Sequence, residues 1–480
     1  MNMRRINYPL IAAAALLAAA PAAAQEREQP PAPSALRPYQ VPRVEDFRLA
    51  NGLRVVVVPQ TALPIVHGRF LVGAGSVYEP LAKNGLASLT GQLLDEGVQG
   101  MTGAQIAARM EQLGAQFGTG AGYATGMAQV TSLKSVFPEA LELAAKVVMQ
   151  PVFPEGEFTR LRNEALAGAV QRRATVEGLA NEAFSLALFE PTAPYSRLPG
   201  GTAETLQAIT REDVVDWHRR MYAPGNTTLL LVGDVSAQEA RRMAERALGS
   251  WTGTAAQLPA ISNPVRPAQG TRIILVDRPG SVQSGIAAGQ AAISQTDPDY
   301  YALDALTQVL GGGFKARLNS NLRERHGYTY GAFAGFNPLQ GTGTISINTA
   351  VRTSATDSAL VEIVNEYRRI ASEPVPEAEL RGGLANIVGS FPNSVQTVQG
   401  LAQRMERVLI YGLPLDYWAT YRERQAGVTP SDLTAVAARR LTPDALTIVI
   451  AGDLSKIEAP IRARNLGTVE VWDASGNKVR

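Results

Sequence analysis

The chain has 480 residues, of which 45 are Lys or Arg, 43 are Asp or Glu and none is cysteine, so disulfides and cysteine-ligated zinc are excluded. Removing residues 1–24 would remove two arginines and no acid, which leaves 43 residues of each sign and a formal net charge of zero. Because no basic stripe is interleaved with aromatic residues, nucleic-acid binding is disfavoured. A chain of this length can bury enough apolar surface for roughly two to four domains.

The first 24 residues have the composition of a secretory signal peptide. Two arginines precede an Ala- and Leu-rich run, and the alanines at 22–24 offer a small-residue cleavage site. Pro21 disfavours a membrane anchor, and no later stretch reaches the length of about 18 apolar residues that a spanning helix needs. The sequence therefore predicts export to the periplasm, by the Sec or the Tat route, with no membrane anchor. Residues 25–41, rich in Pro and polar residues, predict a disordered lead-in.

Strand and helix patterns follow the lead-in. Apolar runs at 53–59 and 67–73 predict two consecutive strands, and a run at 125–133 predicts another after the first helix. That helix lies in NGLASLTGQLLDEGVQG, at 84–100, where leucines recur at helical spacing and Gly97 stands at the expected C-terminal cap. Consecutive strands favour an α+β fold with a mostly antiparallel sheet and helices on one face.

An internal repeat organises the chain. ITREDVVDWHRRMYAPGNTTLLLVGDVS, from Ile209, aligns without a gap with VTPSDLTAVAARRLTPDALTIVIAGDLS, from Val428, at an offset of 219 residues. LRVVVVPQ at Leu53 and TRIILVDR at Thr271 match at an offset of 218. Near-equal offsets indicate a duplicated unit. We predict two homologous α/β-sandwich-like halves that form a two-lobed shell, with the halves at 42–249 and 271–470, a linker at 250–270 and a tail at 471–480.

The segment LGGGFKARLNSNLRERHGYTYGAF, at 310–333, is the densest polar and aromatic cluster. The spacing G-x-x-x-x-G-K-[ST] of a phosphate loop is absent, so nucleotide binding is disfavoured. The pattern predicts a flexible turn, a helix, a glycine turn at Gly327 and a strand from Thr329. Its charges fit a solvated helix end. Alternatively, Arg323 and Tyr330 project to the same side, where a guanidinium and a phenol can hold a peptide carbonyl or carboxylate.

Other catalytic motifs are missing. The three histidines, His67, His218 and His326, never stand at the i, i+4 spacing that lets two imidazoles on a helix bind one zinc ion. We therefore predict packing or surface roles for them. The sequence has no G-x-S-x-G elbow and no cysteine, which disfavours nucleophilic catalysis.

The duplicated unit, the linker and the segment at 310–333 together resemble the pitrilysin/insulinase family of zinc peptidases over residues 42–470. In active members the first half carries His-x-x-Glu-His after Gly-Leu-Ala, with a third ligand, a glutamate, about 76 residues later. Here Ser88 and Gln92 occupy the histidine positions, Gly91 occupies the position of the general base, and no carboxylate stands at 165–176. The resemblance implies the family's fold without zinc in this chain and without peptidase activity of its own.

The resemblance also implies a partner. In paired members of the family one subunit carries the zinc motif, and the other supplies an Arg and a Tyr that hold the substrate backbone; these correspond to Arg323 and Tyr330. It thus implies a periplasmic, non-catalytic, substrate-binding subunit of a heterodimeric zinc peptidase, with zinc in a homologous partner subunit and a peptide as substrate. Two alternatives stay open: a self-associating peptide-binding or structural scaffold of the same family, and an enzyme with an unrelated site.

Overall fold

The computed structural model describes residues 39–40, 42–267 and 269–480. The predicted signal peptide at 1–24 lies outside these residues, as does most of the predicted lead-in at 25–41. No helix in the described part of the chain has both the length and the apolar character needed to cross a membrane.

The first half is built on a six-stranded sheet. Its strands are β1 (Glu45–Arg48), β2 (Arg54–Pro59), β3 (Ile65–Val72), β6 (Gln116–Ala121), β7 (Gly126–Leu133) and β8 (Thr227–Gly233). Two short strands, β4 (Gly97–Val98) and β5 (Met101–Thr102), form a separate two-stranded ribbon. The order in the sheet is β1-β2-β8-β3-β7-β6, with β2 and β8 parallel and all other neighbours antiparallel. The helices are α1 (Leu86–Leu93), α2 (Gly103–Gln112), α3 (Phe137–Met149), α4 (Glu155–Arg173), α5 (Val176–Leu188), α6 (Ala203–Ala208), α7 (Arg211–Met221) and α8 (Ala237–Leu248).

The second half repeats this plan. Its strands are β9 (Arg272–Asp277), β10 (Gln283–Ala292), β11 (Thr329–Leu339), β12 (Thr342–Arg352), β13 (Thr447–Gly452) and β14 (Thr468–Trp472), in the order β11-β12-β10-β13-β9-β14. Its helices are α9 (Tyr300–Gly311), α10 (Thr356–Ser372), α11 (Glu377–Ser394), α12 (Val398–Tyr411), α13 (Tyr421–Ala426), α14 (Pro430–Arg440) and α15 (Leu454–Ala463). Five strands of each sheet correspond in order and direction. The sixth differs: β1 precedes its sheet in the chain, whereas β14 follows its own.

The repeated sequence elements have clear structural roles. Thr210 and Asp213 form a capping box at the start of α7, and Thr429 and Asp432 form the same box at the start of α14. Gly233, which ends β8, has φ +138°, and a Cβ there would stand 2.2 Å from a backbone carbonyl oxygen. Glycine is therefore required at this strand end.

The central strands of each sheet are buried on both faces. In the first sheet, Val55 and Val57 face the helices of their own half, whereas Val56 and Val58 face α12 of the second half. In the second sheet the outer face receives α5 of the first half. The two halves thus exchange one helix each, and residues Tyr39–Arg480 form one compact unit.

The predicted fold class is confirmed: two homologous halves, each with a mostly antiparallel sheet and its own helices on one face. The helix contributed by the other half was not predicted. The first helix ends at Leu93 and continues as a 3-10 turn, Leu94–Glu96, whose C-cap is Gly97, as the sequence predicts; the backbone of Gly97 is extended (φ 163°).

Candidate functional site

Helix α1 carries the three positions at which the resemblance expects a zinc motif. Ser88 is half-buried and Gln92 is exposed, and the Gln92 Nε2 donates a hydrogen bond of 3.1 Å to the Ser88 Oγ. The two side chains face the same way because they stand one helical turn apart. A hydroxyl and an amide bonded to each other do not fit zinc, which takes imidazole, thiolate or carboxylate ligands.

Gly91, at the position of the general base, lies against the edge strand β6. A Cβ at Gly91 would stand 2.4 Å from the carbonyl carbon of Gly120 and 2.5 Å from its oxygen. These distances are far shorter than any van der Waals contact, and the obstacle is backbone. No side chain, and hence no glutamate, fits at Gly91 unless β6 moves.

The third ligand position lies on α4, which packs against α1. Gly168 stands there with open space around it, and Glu164 on the same helix is paired with Arg160 at 2.9 Å. Within the described ranges, no group of three or more His, Cys, Asp or Glu side chains is arranged to hold a metal ion. The residues of this region do not fit zinc.

Glu79 holds the N-terminus of α1, and sequence analysis missed it. Its carboxylate accepts hydrogen bonds from Asn84 Nδ2 (2.7 Å), from the Gly85 backbone N–H (2.9 Å) and from the Ala87 backbone N–H (2.8 Å). Burial raises the pKa of Glu79 to about 7, although these hydrogen bonds act in the opposite direction. The available signal was the absence of a local capping side chain, since Gly85 is the N-cap.

Arg323, the first predicted substrate-binding residue, lies in a π-helical turn, Asn319–Arg325. Its guanidinium carbon lies 5.0 Å from the centre of the Phe314 ring, and its Nε makes a loose ion pair of 3.6 Å with Glu324. Phe314 is 60% exposed and meets Phe333 edge-on at 5.5 Å. The aromatic face orients the guanidinium and leaves its N–H edge available to a ligand.

Tyr330, the second predicted residue, stands in a β-bulge of the edge strand β11 and is 92% exposed. The register with β12 shifts between Thr329 and Ala332, so Tyr330 and Gly331 form the bulge. Its shape is fixed by the Gly331 N–H, which donates to the Thr329 Oγ1 (3.0 Å), and by the Thr349 hydroxyl, which donates to the Gly331 carbonyl (2.9 Å). A bulge of this kind re-aims a side chain.

Arg323 and Tyr330 share one region but not a direct contact. No hydrogen bond or ring contact joins their side chains in the described part of the chain. Arg323 contacts Phe314, and Phe314 contacts Phe333, which lies three residues beyond Tyr330 on β11. We call Phe314, Arg323, Tyr330 and Phe333 the Arg–aromatic group. A cleft of about 650 Å³ beside Phe314 adds polar surface and has the size of a ligand pocket.

Two buried asparagines support this group and were not predicted. Asn319 is fully buried; its Nδ2 donates to the Gly313 carbonyl (3.1 Å), and its Oδ1 accepts from the Ala332 N–H (3.0 Å). The Nδ2 of Asn321 donates to carboxylates on α10, those of Glu362 and Glu366. Asparagine is a poor helix former. Two asparagines in one helical turn could therefore have indicated that their side chains have a structural role there.

The histidines have separate environments. Burial lowers the pKa of His67 to about 4, and its Nδ1 lies 2.8 Å from the Thr131 Oγ1. The Nε2 of His218 donates to the Val148 carbonyl (2.8 Å), and His326 stacks on Tyr328. These are packing contacts, as the sequence predicts.

Comparison with known proteins identifies the family. Residues 54–190 match the model described as Insulinase (Peptidase family M16), and residues 208–401 match the model described as Peptidase M16 inactive domain. A crystal structure described as the peptidase M16 inactive domain from Pseudomonas fluorescens has 31% sequence identity and a TM-score of 0.80, and the match covers 85% of this chain and 98% of that chain. The chain belongs to the peptidase M16 family.

Some relatives in the M16 family are named as proteases, and one is named as a non-peptidase. A protease from Helicobacter pylori has the same fold (TM-score 0.80, 22% identity, 86% of this chain and 100% of that chain). An uncharacterized zinc protease of Mycobacterium tuberculosis is 25% identical over 415 residues, which cover 82% of this chain and 90% of that protein. A Helicobacter pylori protein named non-peptidase homolog YmxG is 23% identical over 352 residues, which cover 72% and 79%.

The predicted resemblance to the insulinase family is thus confirmed. The match to the M16 peptidase model includes Ser88, Gly91 and Gln92, and the match to the inactive-domain model, which begins in the first half at residue 208, includes Arg323 and Tyr330.

Proposed function

We propose that this M16 chain is a non-catalytic, substrate-binding subunit of a heterodimeric zinc peptidase that acts on peptides in the periplasm. The observation that carries the proposal is the contact between Gly91 and the backbone of β6. A peptidase of this family needs ligands that hold zinc and a base that activates the bound water. This chain offers neither on α1, so a homologous partner subunit supplies both.

The Arg–aromatic group supports the substrate-binding part of the proposal. Arg323 offers a planar fork of N–H donors, and the exposed Tyr330 offers one hydroxyl. Peptide backbones present carbonyl acceptors that such donors bind. Phe314 and Phe333 are also exposed, and exposed aromatic side chains beside polar donors are typical of binding surfaces.

The relatives support the existence of two kinds of chain in one organism. Helicobacter pylori has a protein named zinc protease PqqE, 23% identical to this chain over 405 residues, and a protein named non-peptidase homolog YmxG, also 23% identical. A cell that holds both kinds can pair them.

Affinity purification tests the partnership. The tagged full-length chain, purified from its own host, is expected to bring down a homologue with His-x-x-Glu-His, identified by mass spectrometry. Recovery of this chain alone, as a self-associated species, would instead favour a peptide-binding scaffold without a peptidase partner and would overturn the heterodimer.

Mutation of the two predicted residues tests the role in substrate binding. Arg323→Ala and Tyr330→Phe are each expected to lower cleavage of an unstructured peptide by the reconstituted pair about tenfold or more, since each removes donors to the substrate. Arg381→Ala and Tyr328→Phe serve as matched controls, because Arg381 is exposed on α11 and Tyr328 stacks on His326. Turnover unchanged by both test variants removes the substrate-binding role.

A further inference from the structure

Three separate segments carry the exposed side chains of the Arg–aromatic group. Phe314 lies in a turn directly after three glycines at 311–313, which we call the glycine segment. Arg323 lies near the end of the π-helical turn and Tyr330 lies in the bulge of β11, so no single helix or strand holds all three side chains. Their relative positions therefore depend on the contacts that join them.

One buried side chain connects all three segments. Asn319 begins the helical turn that carries Arg323, donates to the carbonyl of Gly313 directly before Phe314, and accepts from the N–H of Ala332 directly after the bulge. From this geometry we infer that Asn319 is the positioning residue that sets Arg323 relative to Tyr330. The inference rests on the proposed function of these two residues as the peptide-binding pair.

The hydrogen bond to Ala332 has a particular consequence for β11. This strand is the edge of its sheet, and edge strands leave every second backbone N–H without a partner in the sheet. Asn319 takes up one such N–H at the point where the register with β12 resumes. Because the side-chain amide is fully buried, its loss leaves the Ala332 N–H without its partner, whereas the Gly313 carbonyl keeps the hydrogen bond from the Ala316 N–H (3.0 Å).

Neighbouring polar groups do not provide this link. Asn321 lies in the same turn, but its amide reaches α10 through Glu362 and Glu366. Thr329 and Thr349 hydrogen-bond within the bulge and to each other.

Backbone hydrogen bonds join the helical turn to the residues before β11. The Tyr328 N–H donates to the Leu322 carbonyl (2.8 Å), and the Gly327 N–H donates to the Arg323 carbonyl (3.1 Å). Asn319 is the side chain that joins the turn to the far end of the bulge, at Ala332.

A double-mutant cycle on the full-length chain tests the inference. The dissociation constant of a fluorescein-labelled unstructured 20-residue peptide is measured by fluorescence anisotropy for wild type, Asn319→Ala, Arg323→Ala and the double variant. Asn319→Ala is expected to weaken binding about 3- to 10-fold, the effect of one lost hydrogen bond. In the Arg323→Ala background it is expected to weaken binding less than about twofold, because Asn319 acts through Arg323.

Two further variants separate positioning from stability. Gln290→Ala removes a buried amide of the same half that bonds to Tyr367 and Thr442, so it should lower the melting temperature without changing the dissociation constant. Asn319→Asp keeps the shape and the acceptor for Ala332 but loses the donor to Gly313. It enters the same cycle if Asn319→Ala does not fold.

The outcomes distinguish the inference from the proposed function. If Arg323→Ala and Tyr330→Phe leave peptide binding unchanged, the proposed function fails. If these two weaken binding but folded Asn319 variants do not, the positioning role fails. Equal effects of the Asn319 variant in the wild-type and Arg323→Ala backgrounds overturn it as well, since additivity means that Asn319 does not act through Arg323.

Discussion

Gly91 shows how a single residue decides what α1 can do. The helix keeps its leucine face in the core, with Leu86, Leu89 and Leu93 buried, while the absence of a side chain at Gly91 lets β6 approach to contact distance. Once the strand lies this close, only glycine fits at position 91, because any larger residue would collide with the backbone of β6. Restoring the zinc motif by substitution alone would therefore displace the edge strand.

Gly91→Ala is expected to destabilise the protein by about 2 kcal/mol or more, because the added methyl group meets the Gly120 backbone. Gly168→Ala on α4 is the matched control. It replaces another helical glycine in open space and is expected to be neutral or to stabilise by up to about 1 kcal/mol. Urea unfolding followed by circular dichroism measures both. Equal free energies of unfolding for Gly91→Ala and wild type would contradict the close contact.

Glu79 predicts a pH dependence with a definite sign. Its pKa in the folded protein, about 7, lies above the ordinary value of 4.5, so the folded state holds the proton more tightly than the unfolded state. The stability that Glu79 contributes is complete below pH 4.5 and is lost as the pH rises towards 7. In Glu79→Gln the side chain is uncharged at every pH. The free energy of unfolding of wild type minus that of Glu79→Gln should fall between pH 4.5 and pH 7, and a rise over that window would contradict the raised pKa.

At the scale of elements, the exchange of α5 and α12 is the main feature of the packing. Helix α5 of the first half covers the face of the second sheet that the helices of the second half leave open. Helix α12 of the second half does the same for the first sheet. The first sheet and α12 are also joined by a partly buried ion pair of 3.0 Å between Arg69 on β3 and Glu406, whose side chains are 13% and 15% exposed. Neither half is complete as a folded unit without the helix of the other.

Glu406→Gln is expected to lower the free energy of unfolding by about 3 kcal/mol, because it leaves the Arg69 charge buried without its partner. The double variant Arg69→Met/Glu406→Leu removes both charges and is expected to recover most of this loss. Urea unfolding of both variants measures the difference. If the double variant is no more stable than Glu406→Gln, the ion pair does not join these elements in the way described.

Features that depend on local sequence were predictable, and features that depend on contacts between separate elements were not. Strand β2 was predictable because a strand buried on both faces is a continuous apolar run, and the repeated capping boxes mark the starts of α7 and α14. The helix exchange was not predictable, since an apolar helix face does not reveal which sheet it covers. The missing ligands at Ser88 and Gln92 were visible by resemblance. The closure at Gly91 depends on the backbone of another strand, and the link through Asn319 depends on the bulge that places the Ala332 N–H beside it, neither of which a local sequence pattern indicates.

At the scale of the whole molecule, duplication has produced two halves with different surfaces. The first half places a closed contact at Gly91 where the family has its base, and the second half exposes Arg323 and Tyr330 beside a glycine segment. Under the proposed function, this chain depends on a zinc-bearing partner to cut a peptide and contributes binding surface in return.

The central claim is tested most directly by one assay on three samples: this chain alone, its zinc-motif partner alone, and the mixture. Each sample is given an unstructured fluorogenic peptide, and its zinc content is measured by plasma mass spectrometry. This chain alone is expected to cleave nothing and to hold far less than one zinc per chain, and the mixture is expected to cleave faster than the partner alone. About one tightly bound zinc per isolated chain, with cleavage that a chelator abolishes, would contradict the claim.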